Sequence, residues 1–513
     1  MPRIVAILSA EEALRLIPDE ATVATGGFVG CGHPELLSLA LERRFLREDH
    51  PRDLTLVYAA GQGDGHTRGL NHLAHEGLVR RVIGGHWNLA PALGRLAVEN
   101  RIEAYNLPQG AICHLFRAVA AGAPGYISQV GLGTFIDPRL GGGRLNARTT
   151  EELVELLILD GREWLRYKPV RVDVALLRGT STDSFGNISF EREAIVGDAL
   201  CIAQAAKAGR GKVIVQVERK VEDYSRDPKS IHIPGILVDA VVLASPENHQ
   251  QTFAEEFNAQ YVEPGSIDTV DLAALAKGPK LIIAHRALQS LRTGDVVNLG
   301  IGLPEAVARV ARQAGRLNDF TLTLESGPIG GIPAGGLSFG ASAFPMAVID
   351  QTSMFDFYDG GGLDVAVLSM AECDQHGNVN VSSFGGRLAG AGGFINISQS
   401  TRRLIFVGTF TTSGLDVACE NERLLIVKEG EVHKLINEVA QVTFNGARAF
   451  AMGQHVLYIT ERAVFELGEG GLELIEIAPG VDLKEQVLAQ MGFNPSIRKS
   501  LQVMSADLFR PTA

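Results

Sequence analysis

Glu325 is the residue whose setting most suggests chemistry. It follows the run Phe320-Thr-Leu-Thr-Leu324, and the glycine-rich stretch Ser326-Gly-Pro-Ile-Gly-Gly-Ile-Pro-Ala-Gly-Gly-Leu-Ser-Phe-Gly340 begins at once. The run predicts a strand over 320–324 with a carboxylate at its C-terminal tip, beside exposed backbone N–H groups. A carboxylate so placed can act as a nucleophile toward a carbonyl brought to it. A glutamate capping a turn fits the same spacing. Two Gly-x-Gly-x-Pro-Glu turns form a second signal, Gly30-Cys-Gly32-His-Pro34-Glu35 and Gly300-Ile-Gly302-Leu-Pro304-Glu305. Each predicts N–H groups at the start of a helix, an anion site or simply a tight turn. The third is Gly385-Gly-Arg-Leu-Ala-Gly390-Ala-Gly392-Gly393-Phe394, either a loop supplying oxyanion donors or a linker.

Other leads fail on their spacing. Gly336-Leu-Ser338-Phe-Gly340 matches the G-x-S-x-G of serine hydrolases, but Gly331-Ile-Pro333-Ala-Gly335 stands where a strand must lead in. No G-x-x-x-x-G-K-[ST] occurs, nor any G-x-G-x-x-G after a strand, so nucleotide sites lack their markers. His66, His72, His75 and His86 have no ligand spacing and read as surface or hydrogen-bonding residues.

The elements that must position these groups come in duplicate. Asp173-Val-Ala-Leu-Leu-Arg-Gly-Thr-Ser-Thr-Asp183-Ser-Phe-Gly186-Asn187 matches Asp364-Val-Ala-Val-Leu-Ser-Met-Ala-Glu-Cys-Asp374-Gln-His-Gly377-Asn378 at a constant offset of 191. The Gly-x-Gly-x-Pro-Glu turns repeat at an offset of 270, in the same order. Two homologous domains follow, residues 1–275 and 280–513, the first with about 79 additional residues between its motifs. Thr134 stands 191 positions before Glu325, which predicts that the first half lacks the carboxylate. Buried strands are expected at 170–177, 212–217, 364–368 and 404–408, and helices at 34–46 and 304–313 with proline in the first turn. The fold class is α/β, with mainly parallel sheets covered by helices. Alternating runs at 456–460 and 472–477 add antiparallel strands near the end.

Composition bounds the rest. The chain has 513 residues, 46% hydrophobic and 21% charged, with 58 glycines. The formal charge of −12 and the lack of a basic run exclude an ordinary nucleic-acid binder. Five scattered cysteines, never C-x-x-C, argue against zinc and a disulfide framework. No apolar stretch nears the length of a membrane span, and the start shows no signal-peptide pattern, so a cytoplasmic protein is expected.

Taken together, the motifs resemble family I coenzyme A transferases, most closely the single-chain short-chain acyl-CoA, or acetate/propionate, type. The marks are Thr25-Gly-Gly-Phe-Val-Gly-Cys-Gly-His-Pro-Glu35, Pro108-Gln109-Gly110, Gly131-Leu-Gly-Thr-Phe-Ile-Asp-Pro138, Gly300–Glu305, Glu325-Ser-Gly327 and Gly390-Ala-Gly-Gly-Phe-Ile-Asn396. They cover almost the whole chain. The resemblance implies that Glu325 is the catalytic glutamate and that CoA passes between an acyl-CoA and a free acid through a glutamyl-CoA thioester. It implies backbone donors among Gly300, Gly302, Gly392 and Gly393, no cofactor beyond CoA as co-substrate, no metal, and a homodimer or homotetramer. An acyl-CoA hydrolase on the same fold and a non-catalytic CoA or acid sensor are the alternatives. The acid itself is not legible in the sequence.

Overall fold

The computed structural model describes residues 3–272 and 278–510. The expected boundary between 275 and 280 falls partly on residues outside that range. By internal contacts the chain divides into two compact units. Of the described residues the first comprises 3–267, 324–356 and 387–396, and the second 268–272, 278–323, 357–386 and 397–510.

The first unit is built on a sheet of eight strands. They are β1 (Ala6–Leu8), β2 (Thr22–Thr25), β3 (Leu54–Tyr58), β4 (Val79–Gly84), β5 (Glu103–Asn106), β6 (Val174–Arg178), β7 (Lys212–Val217) and β8 (Ala240–Leu243). Their order is β1-β8-β7-β6-β2-β3-β4-β5, and every neighbouring pair is parallel. Parallel strands need crossovers, and the crossover helices cover both faces. That is why β3 and β6 are buried at every residue and rich in Leu and Val. The helices used below are α1 (Glu35–Glu48), α2 (Gln109–Ala120) and α3 (Ala199–Ala208).

In the second unit, β9 (Val296–Leu299), β10 (Thr321–Thr323), β11 (Val365–Ser369), β12 (Arg403–Val407) and β13 (His455–Ile459) are also parallel, in the order β10-β9-β11-β12-β13. This is the order of β3-β2-β6-β7-β8, strand for strand. After β13 the chain turns antiparallel through β14 (Ala463–Gly468) and β15 (Gly471–Ile477), as the alternating runs predicted. Helix α4 (Glu305–Gln313) follows β9 as α1 follows β2. Both prolines, Pro34 and Pro304, occupy the N-cap rather than the first turn. Helix α5 (Gln351–Asp359) begins in the first unit, and α6 (Phe394–Ser400) starts at the end of the glycine loop.

The duplicated Asp-x-x-Gly-Asn turns carry one hydrogen-bond pattern. Asp183 Oδ1 accepts from the N–H of Phe185 and Asn187 (both 3.0 Å), and Asp374 Oδ1 accepts from His376 (3.0 Å) and Asn378 (3.1 Å). Each Asn then reaches out through Oδ1 to a glycine N–H, Gly235 (2.9 Å) or Gly446 (3.0 Å). The central glycines adopt φ of +81° and +75°, a region costly for any residue with a Cβ.

One equivalence drawn from the repeat needs correction. The offset of 191 does not extend back to Thr134, because the additional residues of the first half lie between that position and β3. The strand equivalent to β10 is β3, and its tip reads Ala59-Ala60-Gly61. The first half still lacks a carboxylate there.

Candidate active site

Glu325 does not end a strand. β10 stops at Thr323, and the N–H of Gly327 donates to the Leu324 carbonyl (3.0 Å), so Glu325 and Ser326 are the central residues of a tight turn. The turn is held from three directions. Leu324 N–H donates to Pro328 O (3.0 Å), Ile349 N–H to Gly327 O (3.1 Å), and the buried Ser326 hydroxyl to Gly340 O (2.6 Å). Gly327 has φ +127°, and a Cβ there would lie 2.0 Å from the Ile349 carbonyl oxygen. Only glycine fits. Glu325 is 9% exposed, on a backbone with little freedom to move.

The stretch beyond it is clamped by residues from elsewhere in the same unit. Phe339 packs on Phe28 with ring centroids 5.7 Å apart, and a Cβ on Gly340 would strike Phe28 at 2.6 Å. Ser338, the serine of the G-x-S-x-G match, donates to Glu255 (2.6 Å) and meets Thr252 (2.9 Å). Ser338 is 4% exposed and its hydroxyl holds a loop in place; a two-residue strand, Ile332–Pro333, precedes it and it closes a short 3-10 turn, in place of a strand that turns straight into a helix.

The glycine loop before α6 is not a linker. Ala389 O accepts from Trp87 (2.8 Å) and Asn88 (3.0 Å), and Ala391 N–H donates to Asn106 Oδ1 (2.8 Å). Gly392 N–H donates to Gly85 O (2.7 Å), while Gly392 O accepts from Gln109 N–H (2.9 Å). Gly110 N–H donates to Asn396 Oδ1 (3.1 Å). The loop thus lies along the tip of β4 and the start of α2, where Pro108-Gln109-Gly110 stands. Beside it, the Nε2 of Gln109 and the Nδ1 of His86 are buried without a partner among the described residues. Burial and the charge of Arg387 push the His86 imidazole down to about 4, so it is neutral at pH 7.

The four glycines proposed as donors differ in what their N–H groups do. Gly300 N–H donates to Val367 O (2.9 Å) and extends its sheet, while Gly302 N–H donates to Glu305 Oε1 (2.8 Å). Gly392 N–H is held by Gly85. In this structure the N–H groups of these three glycines are engaged in the protein's own hydrogen bonds. The Gly393 N–H makes no hydrogen bond among the described residues.

The two Gly-x-Gly-x-Pro-Glu turns also diverge. In the first, Gln216 Oε1 accepts from Leu36 (2.9 Å) and Leu37 (3.4 Å) and caps α1, which its N-cap proline cannot do. A Cβ on Gly30 would lie 2.4 Å from Phe253 N, so no room is left for an anion. Glu35 turns away to Gly69 N–H (2.9 Å) and His72 (2.9 Å). In the second, Ile301 is 50% exposed and a Cβ on Gly302 would meet nothing within 4 Å. Three of the four histidines are surface or hydrogen-bonding residues as expected, whereas His86, with its Nδ1 buried and unpartnered among the described residues, is not. His72 bridges Glu35 and Glu42 (2.6 Å), His75 bonds Glu42 (2.7 Å), and His66 is exposed.

Among the described residues no group of three or more His, Cys, Asp or Glu could hold a metal ion, and no helix is long and apolar enough to cross a membrane. The cysteines are free, four of them buried. Spacing pointed neither to the cap Gln216 nor to the clamp Glu255, because each acts on a turn far away in the chain.

Comparison with known proteins decides the family. The Coenzyme A transferase profile matches residues 7–244. Over 513 aligned residues the chain is 45% identical to acetate CoA-transferase YdiF of Escherichia coli K12, covering 99% of this chain and 96% of that protein. This chain belongs to the coenzyme A transferases. As a CoA-transferase it moves CoA between acyl-CoA thioesters and carboxylic acids. The caffeate CoA-transferase of Acetobacterium woodii is equally similar, 45% identical with 98% and 97% of the two chains covered. A crystal structure of the E. coli O157:H7 acyl-CoA transferase YdiF, in a thioester complex with CoA, superposes with a TM-score of 0.93 at 43% identity, covering 99% and 96%.

Proposed function

We propose that Glu325 is the nucleophile of a two-stage transfer of CoA between short-chain acyl-CoA and short-chain carboxylic acids. The observation that carries this is the tight turn at 324–327, which fixes one carboxylate at the end of the chain path from β10. In the first stage a Glu325 oxygen attacks the acyl carbonyl, the C–S bond breaks, and CoA leaves as thiolate. The product is an acyl-glutamyl anhydride. The thiolate attacks the glutamyl carbonyl, the anhydride C–O bond breaks, and the donor acid departs as its carboxylate. An acceptor carboxylate then runs both steps in reverse. Each bond exchanged is between activated acyl groups, so the scheme conserves activation and draws on no group besides CoA.

Every tetrahedral intermediate carries an oxyanion, and fixed donors in a site shielded from water stabilise it. We assign the Gly393 N–H to that task, with the neighbouring Gly392 serving to anchor the loop. The acid specificity is not set by family. Relatives at the same identity are named for acetate and for caffeate. The chain is also proposed to form a homodimer or homotetramer in the cytoplasm; light scattering at micromolar concentration tests the assembly, and a monomer refutes it.

The test of the mechanism is chemical. With acyl-CoA and no acceptor, the enzyme is expected to hold CoA as a thioester that borohydride reduces to an alcohol at Glu325. Label on Glu35, Glu305 or Glu372 overturns the assignment. Release of free acid and CoA without an acceptor marks a hydrolase instead.

A further inference from the structure

Asp198 sits at the N-cap of α3 but caps nothing: its side chain makes no hydrogen bond to the helix. It is 2% exposed, and both carboxyl oxygens are buried with no hydrogen-bond partner of ordinary geometry. Three other buried carboxylates of the first unit have answered that problem. Glu193 faces Arg178 (3.0 Å), Glu35 faces His72, and Asp137 faces Arg139 (2.7 Å). An ionised carboxylate left without such a partner is among the most costly things a fold can bury.

The surroundings are no place for an anion. A Cβ on Gly26 would come within 3.1 Å of Asp198 Oδ1, so the carboxyl lies against the Thr25-Gly26-Gly27 backbone beyond β2. Cys113 on α2, Cys201 on α3 and Asp350 just before α5 are the titratable groups that interact with this cluster. Burial keeps both thiols protonated, Cys201 at about 12. Arg117, the cation on α2, pairs with Asp356 (2.6 Å) and Asp350 (3.5 Å). Burial pushes Asp198 up to about 7; the N–H groups of Asp198 and Gly27 offset part of this, and the negative charge of Asp350 adds a smaller upward push.

The position connects directly to the turn that carries Glu325. Gly197, the residue before Asp198, accepts the Gln351 N–H through its carbonyl (2.9 Å). Gln351 also donates to Cys113 (3.0 Å), and Thr352 meets Cys201 (3.5 Å). Two residues before Gln351, Ile349 pairs with Gly327, which closes the Glu325 turn. A charge appearing on Asp198 would repel Asp350 and load this short path.

We infer that Asp198 is a positioning residue that serves the transfer reaction as a neutral carboxylic acid, seating the segment behind Glu325, and that its ionisation sets the alkaline limit of turnover. The inference rests on Glu325 as nucleophile for its kinetic consequence only. The protonation of Asp198 is a property of the resting enzyme.

The experiment compares wild type with Asp198→Asn, an isostere of the neutral acid. In wild type kcat is expected to fall with pH once Asp198 titrates, to roughly one hundredth two pH units higher, where the neutral fraction is about 1%. Asp198→Asn is expected to hold the acid-side kcat across that range. An alkaline limb unchanged in Asp198→Asn overturns the inference. Infrared difference spectra of the whole enzyme give the second reading. The carbonyl band of a protonated carboxylic acid should fade as pH rises through neutrality, and that change should be missing in Asp198→Asn. No such band in wild type also overturns it, whether or not borohydride labels Glu325.

Discussion

Gly327→Ala is the sharpest perturbation of the site that leaves its chemistry untouched. The native φ of +127° is hostile to an L side chain, and holding alanine there costs about 1–3 kcal/mol. The added methyl also meets the Ile349 carbonyl at 2.0 Å. That oxygen is backbone, and its residue donates its own N–H to Gly327, so no side-chain rotation relieves the overlap. Overpacking of this kind adds roughly 1–3 kcal/mol, for a combined loss of about 2–6 kcal/mol. Part of the strain will be relieved by displacing the turn, and a shift of about 1 Å in a reacting group can cost a hundredfold in rate. The expected result is a destabilised but folded enzyme with kcat near one hundredth of wild type. Gly122→Ala is the control. Gly122 has φ +66° just after α2 with nothing within 4 Å of its Cβ position, so it pays the backbone strain alone. Thermal melts and steady-state rates of both variants decide the matter. If Gly327→Ala melts with Gly122→Ala and turns over like wild type, the turn is not what fixes Glu325.

The remaining expectations concern single groups. Glu325→Gln should fold and fail in transfer, since an amide is a poor nucleophile, and Glu325→Asp should be impaired about a hundredfold because the carboxylate is withdrawn by more than about 1 Å; acid-exchange assays read both. Gly393→Ala keeps the N–H and Gly393→Pro removes it, so only the proline variant should lose about 10²–10³ in kcat; equal rates would take the loop out of the mechanism. Glu193→Gln leaves the Arg178 guanidinium buried without its counter-charge and should cost about 3–5 kcal/mol in denaturant melts. Burial works against a charged His72, but Glu35 and Glu42 outweigh it and raise the imidazole above its ordinary value. Its stabilisation is therefore complete below the unfolded value and declines as pH rises through the folded one, and His72→Gln should flatten stability against pH over that window.

What the sequence disclosed follows from how far its signals reach. The strands at 212–217 and 404–408 were legible because a strand buried on both faces must be a run of apolar residues, and that run is local. Duplication was legible because Asp183 and Asp374 build their turns from residues two and four places ahead, and such short-range bonds fix spacing. Glu325 was legible for the same reason, since its turn closes within four residues. The state of the Gly-x-Gly turns was not. Gln216 caps a helix that begins about 180 positions earlier, and Phe253 fills the space at Gly30 from more than 200 positions away. Asp198 was missed on the same ground, for its isolation depends on what the segment after β2, helices α2 and α3, and the start of α5 withhold.

That divergence explains how one repeat came to serve two ends. The strand orders match, so both halves offer a tip where a carboxylate could stand and a helix start where an anion could rest. In the first half each opportunity is closed: Ala59 and Ala60 follow β3, Gln216 occupies the N–H groups of α1, and Phe253 leaves Gly30 no space. In the second, Glu325 follows β10 and the Gly300–Gly302 turn stays open to solvent. The segments 324–356 and 387–396 nonetheless pack within the first unit rather than the second. Glu325 therefore belongs by sequence to one half and by packing to the other. The first half supplies the support instead: its Phe28, Gly85, Asn106 and Gln109 hold the stretch after Glu325 and the glycine loop in place. Reopening it should then weaken catalysis without creating a second site, because no nucleophile waits there to use the space.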